Sequence, residues 1–233
     1  MENTVVLEDS HPIFEACEKG DAVCVRNYLE AGVPVTAKSR SHAHLITTAV
    51  KFGYVEIVKA LIEFGVDLNE PVNTVGQRPI DFSISYSQKQ IAEVLLDNGA
   101  TPDTRLAGEM TPLMSALSGN ELEIAQKLLD HGADPTLTSY SGESLYHWAA
   151  SSGSSDALEF VKRLGLNINV PNRQGQTALL RSAQRGDVTV VKWLIENGAD
   201  PTIADRSKRT PLYWAERNKR EGVVDLLQAY NGQ

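Results

Sequence analysis

The residues best suited to bind a charged partner are arginines and large aromatic side chains that lie at recurring positions of the sequence. Arginine can hold a carboxylate or a phosphate in a bidentate fork, and an aromatic ring offers a flat apolar contact surface. We predict a partner-binding set that consists of Phe52, Tyr86, Trp148, Arg173, Arg181, Arg185, Arg206, Trp214 and Arg217. Such a set would contact apolar groups at its aromatic residues and carboxylates or phosphates at its arginines.

The sequence shows none of the short motifs that are typical of catalysis or cofactor binding. Gly-x-x-x-x-Gly-Lys phosphate loops, Gly-x-Gly-x-x-Gly, His-Glu-x-x-His and Cys-x-x-Cys do not occur in it. His42 and His44 could converge on a transition metal, but no third ligand follows at a matching spacing. We therefore predict no catalytic residue, no metal, no cofactor and no enzymatic activity.

The elements that position the partner-binding set follow from a repeat, which is most complete from Gly175 to Thr202. Thr177 begins a predicted helix, Gly186 and Asp187 form a turn, and a second predicted helix ends at Gly198. The position that ends the second helix recurs at Gly32, Gly65, Gly99, Gly132, Gly165, Gly198 and Asn231, in steps of 33 or 34 residues. This spacing predicts seven units of two helices each.

The seven units are predicted to start at residues 11, 44, 78, 111, 144, 177 and 210. An acidic lead-in of residues 1–10 precedes them and is expected to be frayed or to pack weakly over the first helix. The single 34-residue step falls in the segment from Asn69 to Gln77, so this loop should protrude differently from the equivalent loops. The third unit departs most from the pattern, because it places Asp81 near its helix start and Ser83 where most units have alanine. We predict that it is the least stable unit.

The starts of two units carry a recognisable motif, Thr111-Pro112-Leu113-Met114-Ser115-Ala116 and Thr210-Pro211-Leu212-Tyr213-Trp214-Ala215. Together with the period, these residues resemble the T-P-L-H-x-A motif of the ankyrin repeat family over residues 11 to about 231. The resemblance implies an all-α solenoid of helix-turn-helix units with β-hairpin-like finger loops, in a single domain over residues 11–233. It also implies a concave groove that binds other proteins and carries no catalysis.

The resemblance assigns further roles within this groove. His147 takes the place of the motif histidine, so we expect it to hydrogen-bond the start of its helix, and Asp67, Asp134 and Asp200 should stabilise finger loops. Counting the start residue as one, position five holds Phe82, Trp148 and Trp214, and packing of Trp148 and Trp214 against finger stems stays an open alternative to exposure. Positions eight and nine place aromatic residues in units two and three, serines in the centre and arginines in units six and seven.

The charge of the chain is negative but unevenly distributed. The formal net charge is −8, which argues against general affinity for nucleic acids or membrane surfaces. Residues 1–164 hold 12 Lys and Arg against 23 Asp and Glu, whereas residues 165–233 hold 10 against 7. A local basic surface is therefore expected toward the C-terminal end.

The N-terminal residues show neither a basic region nor an apolar run of the kind found in signal peptides, and no later segment has the pattern of a membrane span. We expect a cytoplasmic monomer, with a nuclear location or export without a cleavable signal left open. Cys17 and Cys24 fall on predicted apolar helix faces and are expected to be reduced core residues.

Two functions remain in competition. The leading hypothesis is a non-enzymatic protein-binding module, an adaptor or a stoichiometric inhibitor, whose partner is another protein with an acidic patch. The alternative is recognition of an anionic small molecule or a nucleic-acid end by the C-terminal arginines, with Trp214 as a stacking platform. Binding of an oligonucleotide or an inositol phosphate that weakens with added salt would favour the alternative.

Overall fold

Seven consecutive pairs of helices form the fold of the described residues, which are 5–40, 44–105 and 110–231 of a computed structural model. The helices are α1 (Pro12–Lys19), α2 (Ala22–Glu30), α3 (Leu45–Phe52), α4 (Val55–Glu63), α5 (Pro79–Ser85), α6 (Lys89–Asp97), α7 (Pro112–Ser118), α8 (Leu122–Asp130), α9 (Leu145–Ser151), α10 (Ser155–Arg163), α11 (Ala178–Arg185), α12 (Val188–Glu196), α13 (Pro211–Arg217) and α14 (Glu221–Asn231). Each pair begins one residue after a predicted unit start. The prediction of an all-α fold of helix-turn-helix units is confirmed.

The ends of the helices follow the predicted chemistry. The hydroxyl groups of Thr111, Thr177 and Thr210 accept the N–H of the third residue that follows each of them, at 3.2–3.3 Å. The six glycines that were predicted to end second helices all have positive φ values, between 69° and 95°. The last unit differs from the prediction, because α14 continues through Asn231 instead of ending before it.

The chain divides into two compact units, each of which is described by itself. The first comprises residues 1–107 and 123–133, and the second comprises residues 108–122 and 134–233. Within each unit, first helices pack on first helices, such as α3 on α5 and α9 on α11, and second helices pack on second helices, such as α4 on α6 and α10 on α12. The single domain over residues 11–233 stays a prediction.

Two residues of the N-terminal lead-in pair with the first repeat. Strand β1 (Val6–Leu7) pairs in parallel with strand β2 (Lys38–Ser39), and the N–H of Lys38 donates to the carbonyl of Val5 at 3.1 Å. This pairing satisfies backbone groups on the edge of the first finger loop. The lead-in is thus part of the first unit from Val5 onward.

The two cysteines of the first repeat lie in different environments. Cys17 is fully buried, and its thiol contacts the carbonyl of Leu45 at 3.4 Å. Burial raises the pKa of the Cys17 thiol to about 12, so it remains protonated at neutral pH. Cys24 is only half-buried, so the prediction of a core position is correct for Cys17 and not for Cys24.

The finger loops are closed by a recurring backbone hydrogen bond. In three fingers of the second compact unit, the N–H of Ser139, Asn172 or Asp205 donates to the carbonyl four residues later, at 2.8–3.0 Å. The finger with the inserted residue closes differently, because the N–H of Val72 donates to the carbonyl of Gln77, five residues later, at 2.7 Å. The insertion therefore widens this hairpin, as the 34-residue step predicted.

Neighbouring fingers of the second unit approach too closely for a side chain at the glycine of the turn. The N–H of Arg206 donates to the carbonyl of Gln174 at 3.0 Å, and a Cβ atom on Gly175 would lie 2.8 Å from the nitrogen of Arg206. Gly175 also has a φ of 79°, in the left-handed region. Two independent constraints thus favour glycine at this position.

We expect Gly175→Ala to lower the free energy of unfolding by about 2–4 kcal/mol, because it adds a clash with the Arg206 backbone to the strain of positive φ. Gly165→Ala is the matched control, since Gly165 has a φ of 69° and a Cβ atom added there would meet no atom within 4 Å. The control should lose only about 1–2 kcal/mol. Urea denaturation followed by circular dichroism measures both values, and equal losses would contradict the proposed close approach.

The third repeat contains a buried carboxyl group. Asp81 is 2% exposed, its Oδ2 accepts the N–H of Arg78 at 2.8 Å, and its Oδ1 has no hydrogen-bond partner among the described residues. Burial raises the pKa of Asp81 to about 6, against the hydrogen bond from Arg78, which lowers it. The repeat that deviates most in sequence therefore buries an incompletely paired acid.

This burial makes stability depend on pH. Because the folded protein holds the Asp81 proton more tightly, the contribution is complete below pH 4 and is lost as the pH rises through about 6. Relative to Asp81→Asn, the wild type should therefore lose up to about 3 kcal/mol of unfolding free energy between pH 4 and pH 7.

Urea denaturation at both pH values tests this dependence, with Asp134→Asn as the control. Thr136 hydrogen bonds lower the pKa of Asp134, so its contribution should instead be lost as the pH falls. A difference between wild type and Asp81→Asn that does not change with pH would refute the assignment.

Candidate partner-binding surface

The most ordered part of the predicted surface surrounds Trp214 on α13. The Trp214 indole N–H donates to Asp205 Oδ2 at 3.0 Å, so the ring is fixed against the stem of a finger. The guanidinium of Arg209 lies 4.3 Å from the ring centroid, and that of Arg217 lies 5.2 Å from it. Trp214 thus packs against a finger stem, as the alternative in the sequence analysis allowed, and also carries two cations on its ring.

Asp205 holds this arrangement together. Its carboxylate accepts the N–H groups of Ser207 and Arg209, the Nε–H of Arg209 and the indole N–H of Trp214, all at 2.9–3.0 Å. Burial alone would raise the pKa of Asp205, but these hydrogen bonds hold it below its ordinary value. The buried carboxylate therefore stays ionised and balances part of the positive charge around Trp214.

Trp148 and Arg181 occupy position five of the two preceding units, so position five reads Trp, Arg, Trp in units five to seven. Arg181 forms an ion pair with Glu143, whose side chain is only 9% exposed. Trp148 is half-buried, and its indole N–H has no hydrogen-bond partner among the described residues. Arg181 is therefore partly neutralised by an acid of its own fold, and its role in partner binding stays a prediction.

Arg185 is also engaged by the fold. Its Nη2 donates to the carbonyl of Ala150 at 2.6 Å and lies 4.0 Å from Asp187 Oδ2. The side chain thus bridges two neighbouring repeats of the second unit. Arg185 is exposed but engaged by the fold, so we leave it out of the charge-reversal variant below.

Besides Arg185, three predicted arginines present exposed side chains: Arg173, Arg206 and Arg217. The main chains of Arg173 and Arg206 are fixed, since their N–H groups donate to the carbonyls of Ser141 and Gln174 at 2.8 and 3.0 Å. No ion pair within 4.0 Å is found for these three arginines in the described part of the chain. They are the members of the set that are best placed to meet an anionic partner.

Sequence reasoning missed Tyr140, which is 58% exposed. It occupies the same finger position as Arg173 and Arg206, one and two repeats earlier, so the repeat alignment contained the signal. It also missed Glu143 and Asp205, the acids that hold Arg181 and Trp214. The sequence did contain a signal for these two acids. Each stands in a finger directly before a first helix that carries tryptophan at position five.

Phe52 and Tyr86 lie in the first unit, whereas the other seven predicted residues lie in the second. Phe52 is 47% exposed and stacks on Tyr54 with ring centroids 5.9 Å apart, and Tyr86 is 42% exposed and stacks on Phe82 at 6.3 Å. Both rings are therefore available to a partner on one side. The structure shows each as a separate aromatic pair of the first unit.

The remaining polar candidates serve the fold. His147 Nδ1 accepts from the N–H of Ser144 at 3.2 Å, and its Nε2 lies 2.9 Å from the carbonyl of Gln176, to which it donates. Burial lowers the pKa of His147, so the ring is neutral at pH 7. The predicted helix-start role is confirmed, as are the loop roles of Asp67, Asp134 and Asp200, whose carboxylates accept N–H groups two residues later at 2.8 Å.

No group of three or more His, Cys, Asp or Glu side chains that could hold a metal ion is found in residues 5–40, 44–105 and 110–231. His42, one half of the metal pair considered above, lies outside these residues. Among the helices in the described residues, none is long and apolar enough to span a bilayer.

Comparison with known proteins agrees with this architecture. The family description "Ankyrin repeats (3 copies)" matches residues 13–106, 101–172 and 146–233. The chain is 26% identical over 187 residues to the putative ankyrin repeat protein YahD of Escherichia coli K12, covering 78% of this chain and 92% of YahD. It is 32% identical over 202 residues to ankyrin repeat and SOCS box protein 16 of Mus musculus, covering 83% of this chain and 44% of the mouse protein.

The fold is similar to that of a solved structure, the ankyrin repeat domain of Bcl-3, a member of the IkappaB protein family. The TM-score is 0.79 at 23% identity, over 95% of this chain and 100% of that domain. The chain belongs to the ankyrin repeat family, whose repeats are protein–protein interaction modules.

Proposed function

We propose that this chain is a non-enzymatic protein-binding module that acts as an adaptor or a stoichiometric inhibitor. The observation that carries the proposal is the combination of Arg173, Arg206 and Arg217, all exposed, with the ordered ring of Trp214 in one compact unit. Backbone hydrogen bonds fix the main chains of Arg173 and Arg206. Because the main chain is already ordered, less conformational entropy is lost when these arginines bind. The partner we propose is a protein with an acidic patch next to an apolar residue.

The proposal includes no catalytic step, metal or cofactor. The imidazole of His147 and the carboxylate of Asp205 are buried and engaged in hydrogen bonds of the fold. We also propose that the chain is a monomer and works in the cytoplasm. Size-exclusion chromatography with light scattering would test the monomeric state. Fractionation of cells would test the cytoplasmic location.

We expect Arg173→Glu, Arg206→Glu and Arg217→Glu, combined in one variant, to abolish capture of the partner from a lysate. Charge-assisted hydrogen bonds contribute roughly 1.5–3 kcal/mol each, so each lost contact should weaken binding about tenfold or more. Arg185 is left unchanged in this variant because it bridges repeats. Quantitative mass spectrometry of the captured proteins gives the readout.

The control for charge reversal is Arg163→Glu. Arg163 is an exposed arginine on α10 that does not belong to the predicted partner-binding set. Its capture profile should match that of the wild type. Both variants should keep the helical circular dichroism spectrum. If the triple variant is folded and captures the same proteins in the same amounts, the arginines do not form the binding surface.

A second candidate is an anionic small molecule or a nucleic-acid end, which the paired cations on the Trp214 ring favour. Titration with inositol hexakisphosphate and with a mixed-sequence oligonucleotide, followed by tryptophan fluorescence at two salt concentrations, separates the candidates. Salt-sensitive saturation would support this candidate, and the absence of any saturable change would exclude it for both probes.

A further inference from the structure

The inserted finger of the first compact unit forms one wall of a solvent-open cavity that the function proposed above does not use. The cavity has a volume of about 640 Å³. It lies between the first finger, which contributes Val35, Thr36 and Lys38, and the widened second finger, which contributes residues between 66 and 74. Cavities of roughly 300–1,000 Å³ are typical of ligand sites. Its apolar lining comprises Val35, Ile46, Val66 and Val72, and its polar lining includes Lys38, His44, Asp67 and Glu70.

The two walls of this cavity are held in place by contacts outside it. Strand β1 pairs with Lys38 and Ser39 of the first finger. In the second finger, the Asn69 side chain donates to the carbonyl of Gly99 at 3.0 Å and accepts the N–H of Thr101 at 2.8 Å. These contacts tie the second finger to the following repeat, so the cavity is preformed.

The tip of the second finger is also braced. Asn73 Oδ1 accepts the N–H of Gln77 at 3.0 Å, and Asn73 Nδ2 donates to Gln77 Oε1 at 2.7 Å. Arg78 Nε donates to the carbonyl of Asn69 at 2.6 Å and closes the base of the loop. The extra residue is therefore accommodated in an ordered hairpin, which is the side of the cavity that carries Val72.

The charge at the cavity favours a basic group. Asp67 and Glu70 are exposed residues of its lining, and Asp67 uses only Oδ1 to accept the N–H of Asn69. Residues 1–107 and 123–133, which form this compact unit, hold 17 Asp and Glu against 10 Lys and Arg. Lys38 lines the cavity as well, so a ligand with several cations would meet repulsion from its ammonium group there.

We propose that this cavity binds a short extended segment of a partner protein in which one apolar residue stands next to one Lys or Arg. The apolar side chain occupies the space between Val35, Ile46 and Val72, and the basic group pairs with Asp67 and Glu70. Lys38 is placed to donate to backbone carbonyls of the segment. This site uses residues and charges different from those of the arginine surface, so it does not depend on that surface.

The probe for this site is the blocked tetrapeptide glycyl-leucyl-arginyl-glycine amide, titrated into ¹⁵N-labelled protein. We expect saturable shifts of amide signals from residues 35–38 and 66–74. Two analogues test the chemistry: glutamate in place of the arginine, and serine in place of the leucine. Each should bind at least fivefold more weakly.

The variant Asp67→Asn with Glu70→Gln should weaken binding of the arginyl peptide at least tenfold. Asparagine is compatible with the turn, because Asn167 occupies the equivalent position of the fifth repeat and accepts the N–H of Asn169 at 2.9 Å. The control is Glu18→Gln with Glu30→Gln, two exposed acids that do not line the cavity. It should bind the peptide as the wild type does.

The proposal is overturned if the glutamyl peptide binds as well as the arginyl peptide, if no saturable shifts occur, or if the Asp67 and Glu70 variant binds normally. The triple arginine variant described above should bind the tetrapeptide normally. If the triple arginine variant loses protein capture but the wild type shows no peptide binding, the cavity proposal fails and the arginine surface stands. If the variant captures the same proteins but peptide binding at the cavity is observed, the arginine surface fails and the cavity proposal stands.

Discussion

Asparagine side chains join repeats by satisfying polar backbone groups that follow the second helix of the next repeat. A helix end leaves carbonyls without a partner inside the helix, so side chains or water must satisfy them. Asn69 meets this requirement for Gly99 and Thr101, and Asn169 does the same for Gly198 and Asp200, at 2.8–3.1 Å. These asparagines stand at the same position of units two and five, where they join consecutive repeats within each compact unit.

The fourth position of the unit shows how one structural requirement accepts different chemistry. The N–H at the start of the helix needs an acceptor, which is the imidazole of His147, the sulfur of Met114 or the carboxylate of Asp81. His147 reaches a further carbonyl with its second nitrogen. Asp81 leaves its second oxygen without such a partner, and burial raises its pKa, so it keeps its proton to a higher pH. The sensitivity to pH thus follows from burial of a carboxyl group at this position.

The sequence was sufficient to predict the period, the seven helix starts and the glycines that end the second helices. These features are set by local rules, since a threonine cap or a glycine with positive φ acts within a few residues. It was not sufficient to predict the pairing of β1 with β2, because Val6 and Lys38 are far apart in sequence and the strands are only two residues long. Their contact depends on how the first finger folds back.

The sequence proposes which residues form the candidate surface, but it does not show how the fold engages them. A repeat alignment identifies which positions recur, and it places Trp148, Arg181 and Trp214 at position five of consecutive repeats. It does not show that Arg181 meets Glu143 or that Arg185 reaches the carbonyl of Ala150, because both contacts depend on side-chain rotamers and on residues of a neighbouring finger or helix. Exposure of an arginine therefore had to come from the structure.

The fingers acquire distinct chemistry at little cost to the repeat, because their tips are outside the helical core. In the second unit, substitution alone changes a finger position from Tyr140 to Arg173 and Arg206, while the closing hydrogen bond spans four residues each time. In the first unit, one inserted residue changes the closure from four residues to five and widens a hairpin beside a cavity. The second helices of the repeats before and after this finger, Val55–Glu63 and Lys89–Asp97, keep the same nine-residue length. Binding chemistry can therefore change in a finger without any change in the packing that holds the repeats together.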